Sequence, residues 1–235
     1  MNVTFLFLAV IAAIVAWWLA QQRLTAKPWL DAGLVGDTGA SPLPSAKIGL
    51  GVFLAVVGCL FTLLISAYSM RMEMGEWRPA PVPKLLWLNT GMLILSSGAL
   101  QSAQVAARRG RMDAVRASLL AGGVFALAFL AGQLVAWRQL DAAGYYLTAN
   151  PAAAFFYLIT GVHGLHILGG LVALGRTMDK AWQGVAVGEV RLSVELCATY
   201  WHFLLCVWLV LFGLLLLTDP LESDGGLVSW ICRIF

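Results

Sequence analysis

AFFYLITGVHGLHILGGLVALGR, residues 154–176, and VELCATYWHFLLCVWLVLF, residues 194–212, decide how the chain is read. Each is a long apolar run interrupted by ionisable groups, His163 and His166 in the first and Glu195 and His202 in the second. All three histidines of the protein lie here. Ionisable side chains at membrane depth are costly, so they face protein or a cavity and raise a functional question. On a helix, His163 and His166 share a face with Phe156 and Gly170. Glu195, Thr199, His202 and Cys206, at offsets of 0, 4, 7 and 11, place carboxylate, hydroxyl, imidazole and thiol on one stripe. Two readings follow: neighbouring helices satisfy each other's polar groups, or the stripe lines a ligand, lipid or proton site.

Working outward, the composition excludes a soluble core. Hydrophobic residues make up 60% of the 235 and charged residues 11%, with a mean hydropathy of +0.84. Runs of about 20 apolar residues cross a bilayer as helices, which satisfy their own backbone there. About six such runs are present, at roughly 2–20, 46–69, 85–107, 114–137, 152–175 and 193–217. The expectation is an all-α polytopic transmembrane bundle.

Residues 1–20 read as an N-terminal transmembrane anchor. No positive charge precedes the apolar run, and Trp17, Trp18 and Arg23 follow it where a cleavable signal would carry small residues. Residues 21–45, with Pro28, Pro42 and Pro44, form a cytoplasmic linker; 46–217 a five-helix bundle; and 218–235 a C-terminal tail. In that tail Leu227, Trp230, Ile231 and Ile234 fit either a short interfacial helix or a frayed terminus. Arg23, Lys27, Lys47, Arg108, Arg109, Arg111, Arg116, Arg176, Lys180 and Arg191 fall in three loops on one side. The opposite side has Arg71, Arg78, Lys84, Arg138 and Arg233. By the positive-inside rule both termini are periplasmic. A net charge of +3 distributed in this way positions the chain in a membrane and gives no reason to invoke nucleic acid.

The run 85–107 is the most polar after the organising pair. Thr90, Ser97, Gln101 and Gln104 lie at offsets of 0, 7, 11 and 14, with Asn89 and Ser96 beside them. Asn89, Thr90, Ser96, Ser97 and Gln101 are therefore expected to form a helix-packing stripe, each bond across a membrane helix contact contributing about 0.6 kcal/mol. Asn150 before Pro151 reads as a helix cap. Cys59, Cys197 and Cys206 sit in apolar runs, and no CxxC or CxxCH is present. Nothing in the residues marks a catalytic or metal-binding constellation, and no phosphate-loop, dinucleotide or zinc-protease motif is found.

With these motifs in view, the chain resembles subunit III of the haem-copper terminal oxidases over about residues 46–217. The resemblance rests on Phe155, Phe156, Thr160, Gly161, His163, Gly164 and His166, then on Glu195, Tyr200, Trp201, His202, Phe203 and Trp208. Asn89-Thr90 and Ser96-Ser97 match as well, after a proline-rich loop. Two positions depart from the family: Val57 stands where a buried glutamate is common, and Leu205 where many members have aspartate. The single anchor at residues 1–20 stands where longer members have two spans.

The resemblance implies a non-catalytic accessory subunit of a respiratory oxidase in a bacterial inner membrane. The complex would reduce oxygen and translocate protons, and this chain would pack with oxidase subunits I and II. It also implies that this chain binds no haem or copper, which belong to the partner catalytic subunit, and that it holds structural phospholipid. His163, His166, Glu195, Tyr200, Trp201 and His202 would form the lipid-binding or interior polar cluster. Alternatives within the family are the accessory subunit of a quinol oxidase or of a nitric oxide reductase. Outside it stand a haem protein with haem b between His163 or His166 and His202, and a membrane carrier, whose sign would be broken helices or an inverted repeat.

Overall fold

The computed structural model describes residues 45–75, 77, 81–148, 150–183 and 187–218. The expected anchor at 1–20, nearly all of the linker at 21–45, and the tail beyond 218 lie outside the described residues. Those described form five helices: α1 (Ser45–Met72), α2 (Leu85–Arg108), α3 (Met112–Ala142), α4 (Pro151–Trp182) and α5 (Val187–Leu217). The chain divides into two compact units, Met1–Ser69 and Met70–Phe235. Helix α1 lies almost wholly in the first and α2–α5 in the second.

Four helices, α1, α3, α4 and α5, are long and apolar enough to cross a membrane. Helix α2, at 24 residues, is also long enough at 1.5 Å per residue. It falls short on composition because Asn89, Thr90, Ser96, Ser97, Gln101, Ser102 and Gln104 dilute its apolar content. The chain is thus a helical membrane protein.

Helix ends follow local chemistry. Asn150 caps α4, its side-chain Oδ1 accepting from Ala153 N at 2.9 Å, with Pro151 at the first helical position. Asn150→Ala is expected to lower stability by about 1 kcal/mol, read as a shift in the thermal transition of the detergent-solubilised chain. Gly110 (φ 68°) and Gly144 (φ 88°) end α2 and α3 in the left-handed region. At each, paired backbone bonds close the last turn, Gly110 N to Ala107 O with Arg111 N to Ala106 O, and Gly144 N to Asp141 O with Tyr145 N to Leu140 O.

The helices outrun the apolar segments. The apolar runs at 152–175 and 193–217 leave residues 176–192 for a loop, yet α4 continues to Trp182 and α5 begins at Val187. Hydropathy marks the stretch that suits lipid, whereas helical backbone persists through Arg176–Trp182. There Thr177 and Ala181 are buried. Arg116 of α3 donates from Nε and an η-nitrogen to Ala181 O at 3.1 and 3.0 Å, satisfying a carbonyl in the last turn of α4.

In the first unit, α1 has a buried stripe, Leu54, Val57, Phe61, Ile65 and Tyr68. Val57, where the resemblance places a glutamate, lies on it. In the second unit α2 packs on α3 and α5, and α4 packs on the same two helices, closing a four-helix bundle. Its interior is filled by Leu86, Leu93, Leu100, Phe129, Ile159, Ile167, Trp201 and Trp208. Large apolar side chains are also exposed, among them Leu165 (66%) and Val172 (58%). That inversion suits a bundle bathed in acyl chains.

Candidate functional site

The polar residues of α2 divide between two neighbours. Thr90, Ser97 and Gln101 meet α5, while Asn89 and Ser96 reach α3. Trp208 Nε1 donates to Thr90 Oγ1 at 3.0 Å, and that hydroxyl donates back to Leu86 O at 2.8 Å. Trp201 Nε1 donates to Ser96 Oγ at 2.8 Å, and Ser96 donates onward to Gly122 O at 2.7 Å. One serine hydroxyl therefore joins α5, α2 and α3. Trp201 is fully enclosed, at 0% exposure, so its indole N–H needs that acceptor.

His202 sits on the same seam, one residue further round and half-buried. Its Nδ1 lies 2.7 Å from Ser97 Oγ and its Nε2 3.0 Å from Gln101 Oε1. An amide oxygen can only accept, so with this amide orientation Nε2 carries the proton and neutral Nδ1 accepts from the serine. Both ring nitrogens are thereby engaged by α2.

His166 and Tyr200 join α4 to α5. Tyr200 O–H donates to His166 O at 2.8 Å, and His166 Nδ1 to Val162 O at 2.8 Å. Gly170 makes room for this contact: a Cβ there would lie 2.7 Å from Tyr200 Cε1 and 2.8 Å from Trp201 Cζ3. His163 is fully buried between aromatic rings, edge-on to Phe129 at 5.8 Å and tilted against Trp208 at 5.1 Å. Glu195 is half-buried near the start of α5, its carbonyl accepting from Thr199 Oγ1 at 2.9 Å.

The six side chains of the expected cluster divide by accessibility. His163, Tyr200 and Trp201 belong to the interior, and His166, Glu195 and His202 are partly accessible. The residues do not fit a haem between His163 or His166 and His202. His202, needed in either pairing, offers neither ring nitrogen without breaking a bond to α2, and His163 is packed against Trp208 and Phe129. Among the described residues no group of three or more His, Cys, Asp or Glu side chains could hold a metal ion.

Several participants were not among the site residues expected from the sequence. Gln133 of α3 accepts from Asn89 Nδ2 at 3.4 Å, and Gly132 beside it lies so close to Asn89 that a Cβ would overlap the amide oxygen and sit 2.9 Å from Cγ. Trp137 Nε1 donates to Thr160 Oγ1 at 3.0 Å, joining α3 to α4, and Thr177 Oγ1 lies 3.3 Å from Cys197 Sγ, joining α4 to α5. A lone glutamine in an apolar run was the available clue for Gln133. The glycine and the backbone acceptors had none.

Comparison with known proteins assigns this architecture. The family model described as cytochrome c oxidase subunit III matches residues 3–217, reaching further toward the N-terminus than the motifs alone. A protein of Synechocystis sp. named cytochrome c oxidase subunit 3 is 30% identical over 216 residues, covering 83% of this chain and 90% of its own length. One of the same name from Thermostichus vulcanus is 32% identical over 173 residues, covering 72% and 85%. The chain belongs to the cytochrome c oxidase subunit III family.

Proposed function

We propose that this chain is the accessory, non-catalytic subunit III of a respiratory cytochrome c oxidase in a bacterial inner membrane. It packs with subunits I and II, which hold the haem and copper, and it spans the membrane six times with both termini periplasmic. The family match over residues 3–217 carries the reading. The geometry supports it: the tryptophans of the family's motifs and the imidazoles of His163 and His202 are tied into helix-to-helix contacts, as suits a scaffold. Within that scaffold His163, Tyr200 and Trp201 maintain the interior. His166, Glu195 and His202 are the members of the cluster that phospholipid or a neighbouring subunit can reach.

A strain lacking this chain tests the role. Oxidase purified from it is expected to keep its haem centres, to contain less phospholipid per complex, and to lose activity progressively during turnover. Unchanged lipid content together with sustained turnover would contradict an accessory, lipid-holding role. If the partner spectrum is that of a quinol oxidase or a nitric oxide reductase, the subunit assignment stands and the complex is renamed.

A further inference from the structure

Charge is divided unevenly between the two ends of the α2–α5 bundle. Arg116, near the start of α3, donates to Ala181 O in the last turn of α4 at 3.1 and 3.0 Å, so the α2–α3 and α4–α5 turns lie at one end. Arg108, Arg109 and Arg111 flank Gly110 there and are exposed, as are Arg176, Lys180 and Arg191. The acids of that end among the described residues are Asp113, Asp179 and Glu189, with Glu195 about two turns further along α5. Asp113 is paired with Arg116 at 3.4 Å. The other end of α2–α5 has Lys84 and Arg138 against Asp141. Depth follows from the outer face of α3. Every exposed residue from Ala117 to Val135 is apolar, a belt of about 28 Å at 1.5 Å per residue, which matches a hydrocarbon core of about 30 Å. Arg116 and Arg138 bracket it. Arg111 lies about 9 Å of helix before Ala117, and the closed turn at Gly110, with Arg111 N bonded to Ala106 O, keeps Arg108 and Arg109 beside it. A headgroup layer of about 5–8 Å per leaflet is within reach of all three guanidinium groups.

We propose that the α2–α3 turn binds the phosphate of anionic phospholipid through Arg108, Arg109 and Arg111. The inference needs only that α3 spans the bilayer, and it holds for either orientation. Preference for a headgroup over bulk water follows from depth, because guanidinium groups at the edge of the apolar belt meet phosphate. Preference for anionic over zwitterionic lipid follows from charge. Three arginines stand within four residues, and among the described residues none of them forms an ion pair. Such a cluster gains most beside a headgroup of net negative charge and least beside one whose ammonium offsets its phosphate. A free phosphate ion offers the same chemistry, and the test separates it from lipid.

The full chain reconstituted into nanodiscs of equal phosphatidylglycerol and phosphatidylcholine tests this, with native mass spectrometry reading the lipids that stay bound. Wild type is expected to retain phosphatidylglycerol over phosphatidylcholine by about fivefold or more, the equivalent of one arginine at an anionic surface. Arg108→Gln/Arg109→Gln/Arg111→Gln should bring the ratio close to parity, while Lys84→Gln/Arg138→Gln, at the other end, leaves it as in wild type. Each single substitution at the three arginines should lose part of the preference, which keeps the test valid if the triple variant fails to fold. Inorganic phosphate added at millimolar concentration should leave the ratio unchanged. Equal retention of the two lipids by wild type would overturn the proposal, and so would a preference that survives the triple and single substitutions or falls equally in the control at the other end. Loss of the preference on adding phosphate would overturn the lipid assignment in favour of a free anion.

Discussion

Gly170→Ala is expected to force α4 away from α5, whereas Gly169→Ala, one residue earlier, leaves the bundle as it is. The two substitutions are chemically identical, so helix propensity cancels between them. They differ in what a methyl group meets. At Gly169 nothing lies within 4 Å of the added carbon, while at Gly170 it falls 2.7 and 2.8 Å from the rings of Tyr200 and Trp201. Neither ring can yield easily. Tyr200 is fixed by its bond to His166 O and Trp201 by its bond to Ser96. Overpacking of this kind costs about 1–3 kcal/mol, and here the Tyr200 hydrogen bond is lost as the helices part. Thermal unfolding of the solubilised chain, followed by circular dichroism, should show a lowered transition for Gly170→Ala only. Equal transitions for the two variants would contradict the packing described for α4 and α5.

The second large effect is expected at Trp201. Truncation to alanine empties a fully enclosed site where α2 and α5 meet and removes the donor to Ser96, for a combined loss of about 3–5 kcal/mol. Trp201→Phe separates the contributions. Phenylalanine restores most of the volume and leaves Ser96 still donating to Gly122 O, so it should cost only about 1 kcal/mol, the net worth of one hydrogen bond. If the phenylalanine variant were as damaged as the alanine variant, the bond would matter more than the packing. If both were silent, Trp201 would not be the bolt between helices that its contacts describe.

Much of this was legible in the sequence because lipid selects strongly. The runs at 46–69, 85–107, 114–137, 152–175 and 193–217 each became a helix, since an apolar stretch of that length leaves the backbone no other way to pair. Their ends were not legible. Thr177 and Ala181 extend α4 beyond Arg176, and helix continuation there depends on tertiary burial and on Arg116, which lies 65 residues away from Ala181 in sequence. Within the site, the spacing of Thr90, Ser97 and Gln101 put them on one face, and they share α5 as their partner. The same spacing set Ser96 and Asn89 at the border but could not say that they face α3. Their acceptors and neighbours there are a backbone carbonyl of Gly122, an amide at Gln133 and the bare surface of Gly132. Backbone groups carry no residue signature, so the acceptors at Gly122 O, His166 O and Ala181 O were invisible. The organising histidines show the same limit: three imidazoles on two adjacent helices invite a common cavity, yet helical rotation sends His163 inward among rings and His202 to the outer seam.

Mild-detergent affinity purification of the intact chain from its native membrane tests the central assignment most directly, with an optical difference spectrum and mass spectrometry of what accompanies it. A large histidine-rich subunit and an oxidase haem spectrum are expected in the same particle, with no haem remaining on this chain once it is separated from that subunit. A chain that purifies alone and colourless would contradict it, and so would one that purifies alone with a b-type spectrum.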